Sequence, residues 1–316
     1  MMIKNRLGTV CLIAAAVIWG GSVVAQKVAL QTWNPYFILW VRGSGTLFFI
    51  LPYLWLKKEF HSPSILKNKV ILAGVSITGV ANSLFVLAGL QYTSAMEAGM
   101  IMGSTPILTA LMLVFLGKHS LDRRGWIGCF ITFFGVILVV FHPLAETRPM
   151  TVWKGDLLVF LGVVSWSIYT LISKEAMKRH SPFLIMAMSW IGVIFVVPLA
   201  FSAPPIYQAN PFLGWSALFY IVIPATILGF FLWLYGLDRI GSAHSAVFLN
   251  FIPISAILFS AILLGETIHW RQCVGGGLVL FGAWIVSLRS SGGTEGLNDI
   301  STSRLYGGED PSHKTH

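Results

Sequence analysis

The chain has 316 residues, of which 56% are hydrophobic and 10% charged; mean hydropathy is +0.78 and the formal net charge is +9. A soluble chain carries roughly 25% charged residues, so this one lacks the polar side chains to cover a globular surface. Soluble, disordered and disulfide-scaffold classes are excluded, and a polytopic membrane protein is expected.

Apolar runs near the length needed to cross a bilayer follow one another along the chain. They predict ten transmembrane helices: Gly8–Leu30, Tyr36–Leu56, Val70–Gln91, Ala95–Leu116, Gly125–Phe141, Gly155–Ile172, Phe183–Phe201, Leu213–Leu237, Ser245–Leu264 and Val274–Leu288. Period-two alternation is absent, which argues against a β-barrel and for an all-α fold. Residues 1–7 read as a cytoplasmic N-terminus. The Gly-, Ser- and Thr-rich stretch 290–316 reads as a flexible cytoplasmic tail.

The positive charge first suggests a nucleic-acid binder, but its placement says otherwise. With the N-terminus inside, sixteen of the twenty-one Lys and Arg fall on the cytoplasmic side, and Arg148, Lys154 and Arg271 fall outside. That asymmetry is the positive-inside rule, so both termini are expected in the cytoplasm and no nucleic acid is expected as a partner. The partners are the bilayer and a small solute. Cys11, Cys129 and Cys273 lie in apolar runs without metal-ligand spacing. There is no HExxH, no nucleophile motif and no GxxxxGK[ST], so an enzyme, a metal or cofactor site and an ATP-driven pump are not expected. No ring of polar groups suggests a channel.

Self-comparison reveals a duplication. A shift of 147 residues aligns Trp19 with Trp166, Lys27 with Lys174, Pro35 with Pro182, Gly89 with Gly236, Pro106 with Pro253 and Gly135 with Gly282. Residues 8–145 and 150–289 are therefore expected to be two five-helix repeats. An odd number of spans makes the second copy enter from the opposite face, giving inverted repeats like those of secondary transporters.

The stretches Ala-Val-Ile-Trp-Gly-Gly-Ser (16–22), Gly-Leu-Gln-Tyr-Thr-Ser-Ala (89–95), Gly-Leu-Asp-Arg-Ile-Gly-Ser-Ala (236–243) and Leu-Leu-Gly-Glu (263–266), with Pro106 and Pro253, carry a resemblance. The chain resembles the EamA family of the drug/metabolite transporter superfamily over residues 8–288. The resemblance implies ten helices, a central cavity lined by spans 1, 3, 4, 6, 8 and 9, and export of metabolites such as amino acids from the cell across its inner membrane. A drug, nucleoside or S-adenosylmethionine carrier is the alternative. One departure is Gly117-Lys118, where the family pattern has Gly-Glu and where Gly265-Glu266 keeps it.

Charge at membrane depth is costly and marks functional candidates. Lys27 and Lys174 either snorkel to the interface or draw an anionic substrate group to each mouth of the pathway. Arg42, seven residues into span 2, either binds helix carbonyls or clamps a carboxylate; its repeat counterpart is Ser189. Glu97 reads as the sole acid near the core. It either completes a Ser-x-x-Glu capping box with Ser94, or binds an ammonium group or a coupling proton. Trp19 and Trp166 either pack or form two walls of a cavity, with Asn82, Ser104, Thr105, Trp233, Tyr235, His244 and Asn250 as further lining. Pro106 and Pro253 are expected to kink their helices and free backbone carbonyls.

Overall fold

The computed structural model describes residues 2–59, 69–117, 123–140, 150–202, 210–240 and 246–290. Expectations for Lys118, His244 and the tail from residue 291 fall outside the described residues. In hydrocarbon, backbone polar groups must be satisfied within the segment, so the apolar runs fold as helices. These are α1 (Met2–Ala29), α2 (Pro35–Leu56), α3 (Lys69–Leu90), α4 (Ala95–Met102), α5 (Thr105–Phe115), α6 (Arg123–Val140), α7 (Met150–Ala176), α8 (Pro182–Ile191), α9 (Val197–Ala200), α10 (Pro211–Tyr220), α11 (Gly229–Ile240), α12 (Phe251–Leu264) and α13 (Trp270–Ser290). Residues 2–7, at the N-terminus expected to be cytoplasmic, form the first turns of α1.

Among the described residues, seven helical stretches are long and apolar enough to cross a membrane: Arg6–Ala29, Pro35–Leu56, Lys69–Leu90, Ala95–Phe115, Met150–Ala176, Pro182–Ala200 and Pro211–Gly236. The expected fifth span is α6, while the ninth and tenth hold the shorter apolar helices Phe248–Leu264 and Gln272–Gly282. The protein is thus an all-α polytopic membrane protein. Its surface agrees: Phe48, Trp55, Phe195, Phe212 and Ile262 are all more than two-thirds exposed, which suits lipid and not water. Near the start of α2, Trp33, Phe37, Trp40, Phe201 and Trp215 stack against one another like an interfacial aromatic belt.

Short turns begin several helices cleanly. Asn34, Ser181 and Asn210 each precede a proline, and each side chain accepts from a backbone N–H two or three residues on. An Asn or Ser cap followed by Pro in the first turn is a strong start signal, because Pro removes an N–H that would be orphaned anyway. Interior prolines differ in their effect: α2 runs unbroken through Pro52, whereas others stand beside changes in helix type. Span 4 breaks into α4 and α5 at Gly103–Ser104, just before Pro106, and a 3-10 turn at Ala246–Asn250 precedes Pro253. A 3-10 turn also spans Gly192–Val196, before Pro198, and a π turn spans Ile221–Leu228 around Pro224. Side chains recover some of the freed carbonyls: Ser104 Oγ donates to Ile101 O and Thr105 Oγ1 to Met102 O, each at 2.6 Å.

The tightest packing pairs helices from different halves of the chain. Helix α1 lies against α10, α11 and α12, α7 lies against α3, α4 and α5, and α6 lies against α13. All three crossings are so close that they require glycine. A Cβ at Gly89 would stand 2.7 Å from the Gly155 carbonyl oxygen, one at Gly236 would stand 2.8 Å from that of Gly8, and one at Gly135 would stand 2.7 Å from that of Gly275. A groove of about 430 Å³ between α6 and α13, lined by Phe130, Ile131, Phe133, Phe134, Ile137 and Leu278, is wholly apolar. It fits a lipid chain and holds none of the candidate residues.

Candidate functional site

Candidate residues gather in two places. The first is the turn Gln91–Ser94 that joins α3 to α4. A helix C-terminus exposes carbonyls and partial negative charge, and an N-terminus exposes N–H groups and partial positive charge. Here both are met by side chains from elsewhere. Lys27, in the last turn of α1, donates from Nζ to Leu90 O at 2.5 Å and Thr93 O at 2.7 Å, so it does not simply snorkel. Glu266 accepts from Ala95 N and Met96 N, both at 3.0 Å, and is itself held by Ser260 Oγ. Gly265, in the left-handed region at φ 65°, turns the chain so that Glu266 can reach across.

The same turn carries a pair of buried acids. Thr93 Oγ1 lies 2.9 Å from Glu97 Oε2 and 2.6 Å from Asp156 Oδ1, and the two carboxyl-bearing residues are 6% and 4% exposed. The capping box is half realised: Ser94 Oγ accepts from Glu97 N at 3.0 Å, while the Glu97 carboxylate faces Thr93. Lys154 sets its ammonium 4.9 Å from the Tyr92 ring centre. The reading of Glu97 as the sole acid near the core is therefore corrected. Asp156 and Glu266 share its neighbourhood, because α7 begins at Met150, before its apolar run, and carries Asp156 into the packed interior.

Lys174, the repeat counterpart of Lys27, sits likewise in the last turn of its helix, α7, but is exposed and has no hydrogen-bond partner among the described residues. The nearby Lys178–Glu175 pair, at 2.7 Å, is exposed on both sides and so contributes little.

The second gathering is at mid-depth, where the π turn changes the hydrogen-bond ladder. Gly229 N donates to Pro224 O, five residues back, and so leaves the Ala225 carbonyl without its usual helical partner. Trp19 Nε1 fills that vacancy at 2.8 Å, and its ring leans on Trp233 with centroids 5.4 Å apart. One residue on, Thr226 Oγ1 donates to Ile221 O at 2.7 Å and accepts from Arg42 Nε at 3.1 Å. The Arg42 guanidinium lies 5.0 Å from the Trp190 ring centre. A guanidinium at this depth costs about 2.5–3.5 kcal/mol on insertion scales, so it must be compensated.

Other candidates are engaged locally. Trp166 is 42% exposed and stacks on Tyr169, whose hydroxyl bonds Ser189 Oγ at 2.9 Å; it is not the facing partner of Trp19. Asn82 donates to Gly162 O at 2.9 Å and ties α3 to α7. The Tyr235 ring lies beneath the Arg239 guanidinium at 3.4 Å. Ser104 is buried at the span-4 break, half-buried Asn250 ends the 3-10 turn before α12, and Pro253 is buried in the first turn of that helix. Pro106 lies in the first turn of α5. Sequence reasoning missed Thr93, Asp156, Glu266, Trp190 and Thr226. The Gly-Glu motif at 265–266 was the available signal for one of them.

Comparison with known proteins places this arrangement. Residues 6–141 and 153–288 each match the EamA-like transporter family. The uncharacterized transporter YetK of Bacillus subtilis is 28% identical over 300 residues, covering 92% of this chain and 89% of that protein. YyaM, another uncharacterized transporter of that organism, is 29% identical over 227 residues, covering 70% and 74%. The uncharacterized inner membrane transporter YedA of Escherichia coli is 21% identical over 281 residues, covering 88% and 89%. A solved crystal structure shares the fold with a TM-score of 0.62 and 16% identity over 91% of this chain and 97% of that one.

Proposed function

Because the chain belongs to the EamA-like transporter family, we propose that it is a secondary transporter exporting amino acids or related small metabolites across the cytoplasmic membrane by alternating access. The family assignment points away from catalysis. The observation that carries the mechanism is the symmetry of the helix pairings under the 147-residue shift. Span 1 against spans 8 and 9 maps onto span 6 against spans 3 and 4, and the Gly8–Gly236 approach maps onto Gly155–Gly89. Ten spans in two inverted five-helix repeats would pair in this way.

Repeats that are equivalent in sequence but differ in local state supply the two access conformations. The clamp of Lys27 and Glu266 on the α3–α4 turn seals one end of the bundle. At the other end Lys174, which would serve the turn after α11 in the same way, is exposed. If both termini lie in the cytoplasm, as the charge asymmetry argues, the Lys27 end is the outer one, and opening it would be the step that releases substrate outside.

A growth assay checks the substrate class. Cells expressing the protein are expected to tolerate toxic amino-acid analogues better than cells carrying an empty vector. Protection confined to cationic dyes or nucleoside analogues would move the assignment to a drug or nucleoside carrier, and sensitisation to the analogues would reverse the direction of flux.

A further inference from the structure

We propose that Arg42 is the anchor for an anionic group of the substrate, and that this group is a carboxylate. The inference rests on the transporter reading and names the chemistry of its cargo. The resemblance that points to cavity helices does not include span 2, so nothing in that resemblance singles out this side chain.

Three observations converge on it. Arg42 lies on the face of α2 that carries Pro35, Leu39, Thr46 and Ile50, all buried, so it projects into the protein and not into lipid. Those neighbours are closed off, whereas Arg42 is only half-buried and keeps part of its surface uncovered. Its charge, moreover, has no carboxylate partner among the described residues. Nε is bonded to the neutral hydroxyl of Thr226, and one face lies against Trp190. A guanidinium is permanently charged and carries five N–H donors, of which the Thr226 bond takes one. The edge formed by Nη1 and Nη2 has the spacing to hold a carboxylate through two parallel bonds. A charge kept at this depth without a protein counter-ion is what a site needs when the counter-ion is the cargo.

The surroundings fit an amino acid. Thr226 adjoins Ala225, whose carbonyl is held by Trp19, and Trp19 leans on Trp233. The Trp190 ring, 5.0 Å from the guanidinium, is the aromatic surface beside a carboxylate bound there. The repeat counterpart has no such site: Ser189 packs directly on Gly79, where a Cβ would stand 3.3 Å from the serine. One anchor, not two, serves the pathway.

Two measurements on the purified full chain test this. Titration of tryptophan fluorescence with benzoate and with benzylamine is expected to show benzoate binding that weakens by about tenfold or more in Arg42→Gln and less in Arg42→Lys. Benzylamine binding should not weaken. Equal benzoate responses in wild type and Arg42→Gln, or no benzoate binding by the wild type, overturn the site. In proteoliposomes, Arg42→Gln should lose phenylalanine flux while retaining phenethylamine flux. Loss of both fluxes alike, in protein that still elutes as a single species, would make Arg42 a structural residue. Benzoate binding with no flux of any solute by the wild type would support the site and remove the transporter reading.

Discussion

Lys27 and Lys174 occupy the same place in the two repeats and have different surroundings, which no sequence comparison reveals. The equivalence was legible because the residue type recurs at a constant offset. The difference was not, because it depends on carbonyls 63 and 66 positions away from Lys27. Charge-assisted bonds to the α3-end carbonyl of Leu90 and the turn carbonyl of Thr93, both in buried residues, should stabilise the fold by about 2 kcal/mol. Lys27→Met is therefore expected to lower the detergent melting temperature clearly, and Lys174→Met to leave it near that of the wild type. Equal shifts would show that the two ends are closed alike. Asp156 failed to stand out for a related reason. Its position near the start of an apolar run looks solvent-facing, and its burial follows from helix α7 starting six residues earlier and from Thr93 across the interface. The net effect on the charge inventory is direct: Lys27 and Glu97, which looked like isolated charges within spans, belong with Asp156 and Glu266 to a cluster of both signs, and Arg42 stands apart.

At the scale of elements, starts were more readable than interiors. Asn34-Pro35, Ser181-Pro182 and Asn210-Pro211 mark helix beginnings by local chemistry alone, and the structure begins α2, α8 and α10 there. Prolines within spans announce a disturbance but not its kind: a break before Pro106, a 3-10 turn before Pro253 and a π turn around Pro224. The kind matters to the candidate site, since the π turn is what opens the Ala225 carbonyl to Trp19. Glycines follow the same logic. Gly89 and Gly277 look alike in the sequence, yet a Cβ at Gly89 meets Gly155 O at 2.7 Å, whereas one at Gly277 meets nothing within 4 Å. Gly89→Ala is expected to destabilise by about 1–3 kcal/mol, the usual cost of overpacking, and Gly277→Ala to be nearly silent. Thermal unfolding in one detergent, with both variants side by side, checks this; comparable losses would mean that the α3–α7 crossing is looser than described.

For the whole molecule, the +9 charge is an orientation signal. Sixteen basic residues on one side against three on the other argue for both termini in the cytoplasm, and on the proposed reading the Lys27 end then lies outside. A cysteine introduced near the C-terminus, Ser312→Cys, should react with a membrane-impermeant maleimide only after cells are permeabilised, in a background with Cys11, Cys129 and Cys273 replaced by Ala. Labelling of intact cells would put the Lys27 end on the inner side instead. Membrane class and fold class were legible from composition and spacing because hydrocarbon forces every span into the same solution. The contacts of the candidate site were not, because they join residues such as Arg42 and Thr226 that are 184 positions apart. The most direct test of the central claim is efflux of labelled amino acids from proteoliposomes containing the purified chain, without nucleotide. The expected result is efflux above that of empty vesicles, accelerated by unlabelled substrate on the opposite side. Efflux indistinguishable from that of empty vesicles for every amino acid tested would contradict it.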